Sequence, residues 1–134
     1  LVLGNDLSVY PSYYEPWGYT PLESIAFHVP TITTDLAGFG LWVNSLKGGY
    51  SQLEDGVKVI HRSDYNYSEV ADVIKDTISD FSGYTPGEIK QIRKRAEEMA
   101  EKALWKHFIA YYYEAYDIAL RHAQKRLLSK NDII

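Results

Sequence analysis

Two carboxylates, Glu15 and Glu23, stand eight positions apart in the segment Pro-Ser-Tyr-Tyr-Glu-Pro-Trp-Gly-Tyr-Thr-Pro-Leu-Glu, residues 11–23. Pro16 stiffens the chain beside Glu15. A carboxylate held in this way accepts hydrogen bonds from two hydroxyls on adjacent carbons, the pattern a sugar presents; the alternative is a loop carboxylate facing water. Glu23 has a local explanation. Thr20-Pro21-Leu22-Glu23 spells an N-cap, a proline at the first helical position and the acid of a capping box. The same spacing recurs in Thr85-Pro86-Gly87-Glu88, where nothing else suggests a site. Gly18 lets main-chain amides approach a ligand with no Cβ in the way. A helix starting at Thr20 offers unpaired N–H groups and a partial positive charge suited to phosphate oxygens, so the Thr20 hydroxyl either caps the helix or touches phosphate. Tyr13, Tyr14, Trp17 and Tyr19 either stack on a base or sugar ring or pack beneath the loop.

Other chemistries find little support. The chain has no cysteine, which removes disulfides, thiolate metal sites and a cysteine nucleophile. None of His28, His61, His107 and His122 has a partner at metal-ligand spacing, and no serine elbow motif is present, so no metal and no cofactor is assigned. A net charge of -4 argues against nucleic acid, whose backbone demands a basic footprint. No apolar run approaches the roughly 20 residues of a membrane span. Lys90, Arg93, Lys94 and Arg95 are followed by Glu97, Glu98 and Glu101, which reads as a salt-bridged solvated surface.

The elements that position residues 11–23 follow from periodicity. Residues 6–10 alternate as a strand that Pro11 ends. Leu22, Ile25, Ala26 and Val29 repeat at helical spacing up to Pro30. Thr31-Ile32-Thr33-Thr34 is β-branched and predicts a second strand. Asp35-Leu36-Ala37-Gly38-Phe39-Gly40 predicts a turn, whose glycines either admit a ligand or simply tighten the chain. A short helix over 41–46, a Gly-rich loop over 47–55 and a third strand over 56–61 come next. Helices follow from Ser68 to Ser82, and from Pro86 onward as two in tandem meeting near Ala103-Leu104. The stripe from Trp105 to Tyr116 predicts core packing or docking on a second domain, and the tail from Ser129 predicts fraying. Alternating strands and helices indicate an α/β fold with a short parallel sheet followed by C-terminal helices. The expected organisation is one partial domain, residues 1–134, with an α/β part over 1–62 and a helical part over 66–128. Leu1-Val2-Leu3 runs straight into the first strand, so further chain is expected upstream. Exposed sheet edges of a half-domain favour self-association.

Residues 11–23 resemble the donor-site motif of glycogen synthases of the animal and fungal type. They include the Glu-x7-Glu element of retaining glycosyltransferases with the GT-B fold. Thr33-Thr34-Asp35-Leu36-Ala37-Gly38-Phe39-Gly40 is similar to the segment that follows in the same enzymes, and the tail from Ala103 to Leu120 is similar to their C-terminal helices. The resemblance implies the second half of a Rossmann-like C-terminal domain in a cytoplasmic enzyme. That enzyme would move glucose from a nucleotide-glucose, UDP-glucose favoured, to the 4-hydroxyl of an α-1,4-glucan with retention. Carried over by position, Glu15 would contact the donor glucose, and the Trp17 and Gly18 amides would lie beside it. Thr20 would touch the diphosphate, Glu23 the ribose, and Tyr13 would lie near the base. The basic residues that grip the diphosphate in the family lie upstream of this chain, so the chain alone is expected to be inactive. Family members carry an arginine-rich regulatory helix for glucose 6-phosphate, where this chain has only Arg93 and Arg95 with lysines. His28 stands where glycine is common before Val-Pro. A related transferase with another acceptor, or a non-catalytic sugar-binding module, are the competing readings.

Overall fold

The computed structural model describes residues 4–131, with side chains through residue 127. The expectation for Leu1-Val2-Leu3 and the end of the tail fall outside that range. The helix expected to fray from Ser129 continues to Asn131.

In chain order the elements are β1 (Ser8–Val9), α1 (Tyr19–Ala26), β2 (Thr31–Thr34), α2 (Gly38–Lys47), a 3-10 turn (Leu53–Asp55), β3 (Val57–Ile60), α3 (Tyr67–Ser82), α4 (Pro86–Lys102) and α5 (Trp105–Asn131). The three strands form a parallel sheet in the order β1-β2-β3, with Ser8 opposite Thr31 and Thr31 to Thr34 opposite Val57 to Ile60. The class is α/β, as the alternation predicts. The first strand is shorter than residues 6–10: Asp6 turns away to pair with Arg93 at 2.8 Å, while the Tyr10 N–H still reaches the Ile32 carbonyl.

The chain forms two compact units, Leu1–Glu101 and Lys102–Ile134. In the first, apolar residues separate onto the two sheet faces by strand alternation. Val57 and Val59 join Ile25, Phe39, Val43, Ala96 and Met99. Ile32 and Ile60 join Leu53, Val70 and Phe81. Covering both faces is what a parallel sheet requires, and β2 is buried throughout. At Gly56, φ is 93° and an added Cβ would lie 2.4 Å from the Ala96 nitrogen, so the turn before β3 presses against the backbone of α4. The basic cluster on α4 is shared out more widely than expected. Lys94 pairs with Glu98, but Arg93 goes to Asp6 and Arg95 donates to the Glu54 carbonyl. In the second unit, the rings of Trp105, Tyr112 and Tyr116 touch in sequence along α5 at 4.9 and 6.4 Å. They are exposed rather than buried in a core.

Helix α1 ends in a Schellman arrangement. The His28 N–H reaches the Ile25 carbonyl and the Val29 N–H the Ser24 carbonyl, with His28 at φ 60°. That left-handed position explains why glycine suits it, and why Val29 is not helical. His28→Gly is expected to raise stability by about 0.5–1 kcal/mol, because relief of the left-handed cost exceeds loss of the exposed pair with Glu97. A urea titration of both proteins measures it.

Candidate functional site

The two segments that leave β1 and β2 lie side by side at the carboxyl edge of the sheet, where open α/β folds bind ligands. They are bonded to each other through backbone. The Glu15 N–H donates to the Leu36 carbonyl (3.3 Å), the Gly38 N–H to the Glu15 carbonyl (3.2 Å), and the Phe39 N–H to the Trp17 carbonyl (2.6 Å). Thr34 adds a side-chain bond, its Oγ1 donating to the Ser12 carbonyl at 2.6 Å. Glu15 and Ala37 pair as an isolated parallel bridge, so Glu15 occupies an extension of the sheet.

Gly38 makes this approach possible, and Gly40 lets the chain leaving β2 turn back closely on Thr34. A Cβ on Gly38 would lie 2.3 Å from the Pro16 carbonyl oxygen, and one on Gly40 would lie 2.2 Å from that of Thr34. Both therefore face protein backbone, which resolves the two possibilities left by the sequence. They also let α2 begin at Gly38, three residues earlier than the apolar pattern suggests.

The capping box expected at Thr20 and Glu23 does not form. The N-cap of α1 is Gly18, at φ 104°, and no side chain caps the helix. Because glycine accepts the left-handed geometry, the chain enters the helix early. Tyr19 and Thr20 become its first residues, and Pro21 sits in the first turn, where its missing N–H costs nothing. Glu23 then lies too far along to reach back, and it is exposed. The matching spelling at 85–88 does close: Glu88 Oε2 accepts from the Thr85 N–H at 2.7 Å, and Thr85 Oγ1 accepts from the Glu88 N–H at 3.3 Å. The Thr85 N–H and hydroxyl, both donating to Glu88 Oε2, hold that carboxyl below its usual range. Thr85→Ala should thus cost about 1 kcal/mol of stability and Thr20→Ala under about 0.5, measured by thermal unfolding.

An uncapped α1 leaves its first-turn N–H groups available to an anion. Glu15 is half-buried beside that end, its Cγ 3.6 Å from the place where a Gly18 Cβ would be. The structure thus brings Glu15, Gly18 and Thr20 to one rim. Trp17 contributes its backbone there. Its ring packs against Phe39 (6.4 Å, edge to face) and Trp42 (6.0 Å) within the core, not outward for stacking. Tyr13, Tyr14 and Tyr19 stay exposed at 53, 81 and 69%, so part of each ring remains accessible to a ligand.

A group that sequence reasoning did not assemble lies at the ends of β2 and β3. Asp35 Oδ2 is 2.6 Å from His61 Nδ1 and accepts from the Tyr50 hydroxyl at 3.0 Å. Asp35 Oδ1 accepts from the Arg62 N–H at 2.9 Å. The Arg62 side chain donates to the Pro11 carbonyl, and its guanidinium carbon lies 5.2 Å from the centre of the Tyr13 ring. Burial pushes the Asp35 carboxyl upward, but the bonds from His61, Arg62 and Tyr50 outweigh it and hold the group below its ordinary value. The Asp35 bond and charge raise the His61 imidazole. Asp35 therefore contributes stability above its ordinary 3.8 and loses it as pH falls through the lowered folded value. His61 contributes below its ordinary 6.5 and loses it as pH rises through the raised value. Stability from the pair should peak between those limits, and His61→Ala should remove the alkaline loss in a pH series of denaturation curves. Among the described residues, no group of three or more His, Asp or Glu side chains is placed to hold a metal ion. No described helix is long and apolar enough to cross a membrane.

A family model for glycogen synthase matches residues 1–132. The chain is 34% identical over 122 residues to glycogen [starch] synthase isoform 1 of Saccharomyces cerevisiae, and 33% identical over 122 to the Neurospora crassa glycogen [starch] synthase. It is 30% identical over 122 to the liver glycogen [starch] synthase of Mus musculus. Each match covers 91% of this chain and 17% of the relative. The chain thus spans about a sixth of the length of the curated relatives it matches.

Proposed function

Since this chain belongs to the glycogen synthase family, we propose that it forms the donor-side wall of a retaining glucosyltransferase. In this reading it is one partial domain, with an α/β part over residues 1–62 and a helical part over 66–128, within a longer cytoplasmic protein of GT-B fold. The donor is a nucleotide-glucose, UDP-glucose favoured, and the acceptor is the 4-hydroxyl end of an α-1,4-glucan.

The observation that carries the reading is the placement of the Glu15 carboxylate. Backbone bonds to Leu36 and Gly38 fix it beside the uncapped start of α1. A hexose whose hydroxyls bond Glu15 would present its anomeric phosphate toward the first-turn N–H groups of Tyr19 and Thr20. Developing negative charge on the leaving diphosphate is stabilised by such donors, which need no rearrangement as the bond breaks. The Trp17 and Gly18 amides line the sugar, and Thr20 lies at the diphosphate. Glu23, free of a capping role, is available to ribose hydroxyls one turn further on. Tyr13 offers a ring to the base. No base–nucleophile pair is needed from this segment; it contributes orientation and charge stabilisation.

The full-length protein, given UDP-glucose or ADP-glucose and a glucan primer, should extend the primer, with NMR showing α-linked product from the α-linked donor. The chain alone should show little or no nucleotide binding by isothermal titration. Absence of transfer from both donors would remove the reading, and micromolar binding by the chain alone would show the phosphate grip to be misplaced.

A further inference from the structure

We infer that Arg62 is a positioning residue for the donor loop, a role that rests on the donor-site reading above. Three elements fix its main chain. Its N–H is held by Asp35 at the end of β2, and Asp35 is itself held by His61, next to Arg62, and by Tyr50 from the preceding loop. The Asp35 N–H closes the group by donating to the Ile60 carbonyl at 3.0 Å. From this base the side chain crosses to residues 11–13, where Nη1 donates to the Pro11 carbonyl and the guanidinium lies over the Tyr13 ring.

The chemistry suits arginine in particular. A guanidinium donates hydrogen bonds in its plane while its face meets an aromatic ring, and an ammonium has no such plane. The position is informative as well. The donor loop is tied to the β2–α2 segment at Ser12 and again from Glu15 onward. Tyr13 lies between those ties, and Arg62 supplies its contact. Arg62 lies over the Tyr13 ring while the residue stays 53% exposed, so part of the ring remains presented to solvent. Arg62 thereby sets where a nucleoside base meets the loop, without itself touching the sugar.

The test uses Arg62→Ala, Arg62→Lys and Tyr13→Ala in the full-length enzyme. Arg62→Ala should raise the KM for the nucleotide-glucose about tenfold, the size of one charge-assisted hydrogen bond, while kcat changes less than about threefold. Arg62→Lys should recover only part of that loss. Combining Arg62→Ala with Tyr13→Ala should raise KM little beyond Tyr13→Ala alone, because the two act as a unit. Amide exchange over residues 12–15 should quicken in both arginine variants. If Arg62→Ala does not fold, Arg62→Lys carries the comparison. An unchanged donor KM in a folded variant, or effects of Arg62 and Tyr13 that simply multiply, would overturn the inference. If Glu15→Ala silences transfer while Arg62→Ala leaves KM alone, only this inference falls. If Glu15→Ala leaves transfer intact, the donor-site reading falls, and the exchange rates still report whether Arg62 holds the loop.

Discussion

Glu15→Ala in the full-length enzyme is expected to lower glucosyl transfer by about 1000-fold or more, the scale of losing a preorganised group that acts on the transition state. It is expected to leave the fold intact. Every bond that ties residue 15 to the sheet extension is made by its backbone, through the N–H to Leu36 and the carbonyl from Gly38, and alanine keeps both. The Glu15 side chain is only partly buried, so its removal opens a limited void. Initial rates on a glucan primer, with thermal unfolding measured alongside, separate the two effects. Transfer at the parent rate in the variant would show that Glu15 is not the sugar-binding group.

A large effect on both stability and activity is expected at Gly38. A methyl group there meets the Pro16 oxygen at 2.3 Å and the Trp17 Cα at 3.2 Å. Both obstacles are backbone, so neither can swing aside. Relief requires the β1–α1 loop to lift from α2, breaking the bonds from Gly38 to Glu15 and from Phe39 to Trp17. A cost of about 3 kcal/mol or more follows, together with loss of activity because Glu15 moves. Gly49→Ala is the control: its added Cβ meets nothing within 4 Å, and its φ lies outside the left-handed region. Urea midpoints at unchanged slope compare the two. Equal midpoints would mean that loop and helix do not need their close approach.

The parallel sheet and its flanking helices were legible because periodicity and β-branching are local signals. The break between α4 and α5 was legible too, from the shift of apolar phase at Leu104-Trp105. Two identical spellings behaved differently, however. Thr85 and Glu88 close a box, whereas Thr20 and Glu23 do not, because Gly18 starts the helix early in one case only. Spacing alone did not contain that difference; the left-handed residue two positions upstream did. Trp17 illustrates a second limit. Its backbone lies at the rim while its ring belongs to the core, and a sequence shows one residue where the structure uses two halves. The Asp35, Tyr50, His61 and Arg62 group was the least legible. Its members lie up to 27 positions apart. They meet because β2 and β3 are parallel and in register, with Thr34 opposite Ile60, so the residues just beyond both strands emerge together.

The bridge between Glu15 and Ala37 makes the β1–α1 loop a fixed-length part. Ser12, Glu15 and Trp17 are each joined to a set partner, and those partners follow one another at the β2–α2 junction. One residue inserted or deleted between Ser12 and Glu15 would shift every later attachment and carry the Glu15 side chain to the opposite face. The six positions can therefore exchange side chains but not change in number. Gly48 and Gly49, where α2 ends in a left-handed glycine and an added group meets nothing, face no such close approach. Loops grafted at this position should keep the fold only when their length matches.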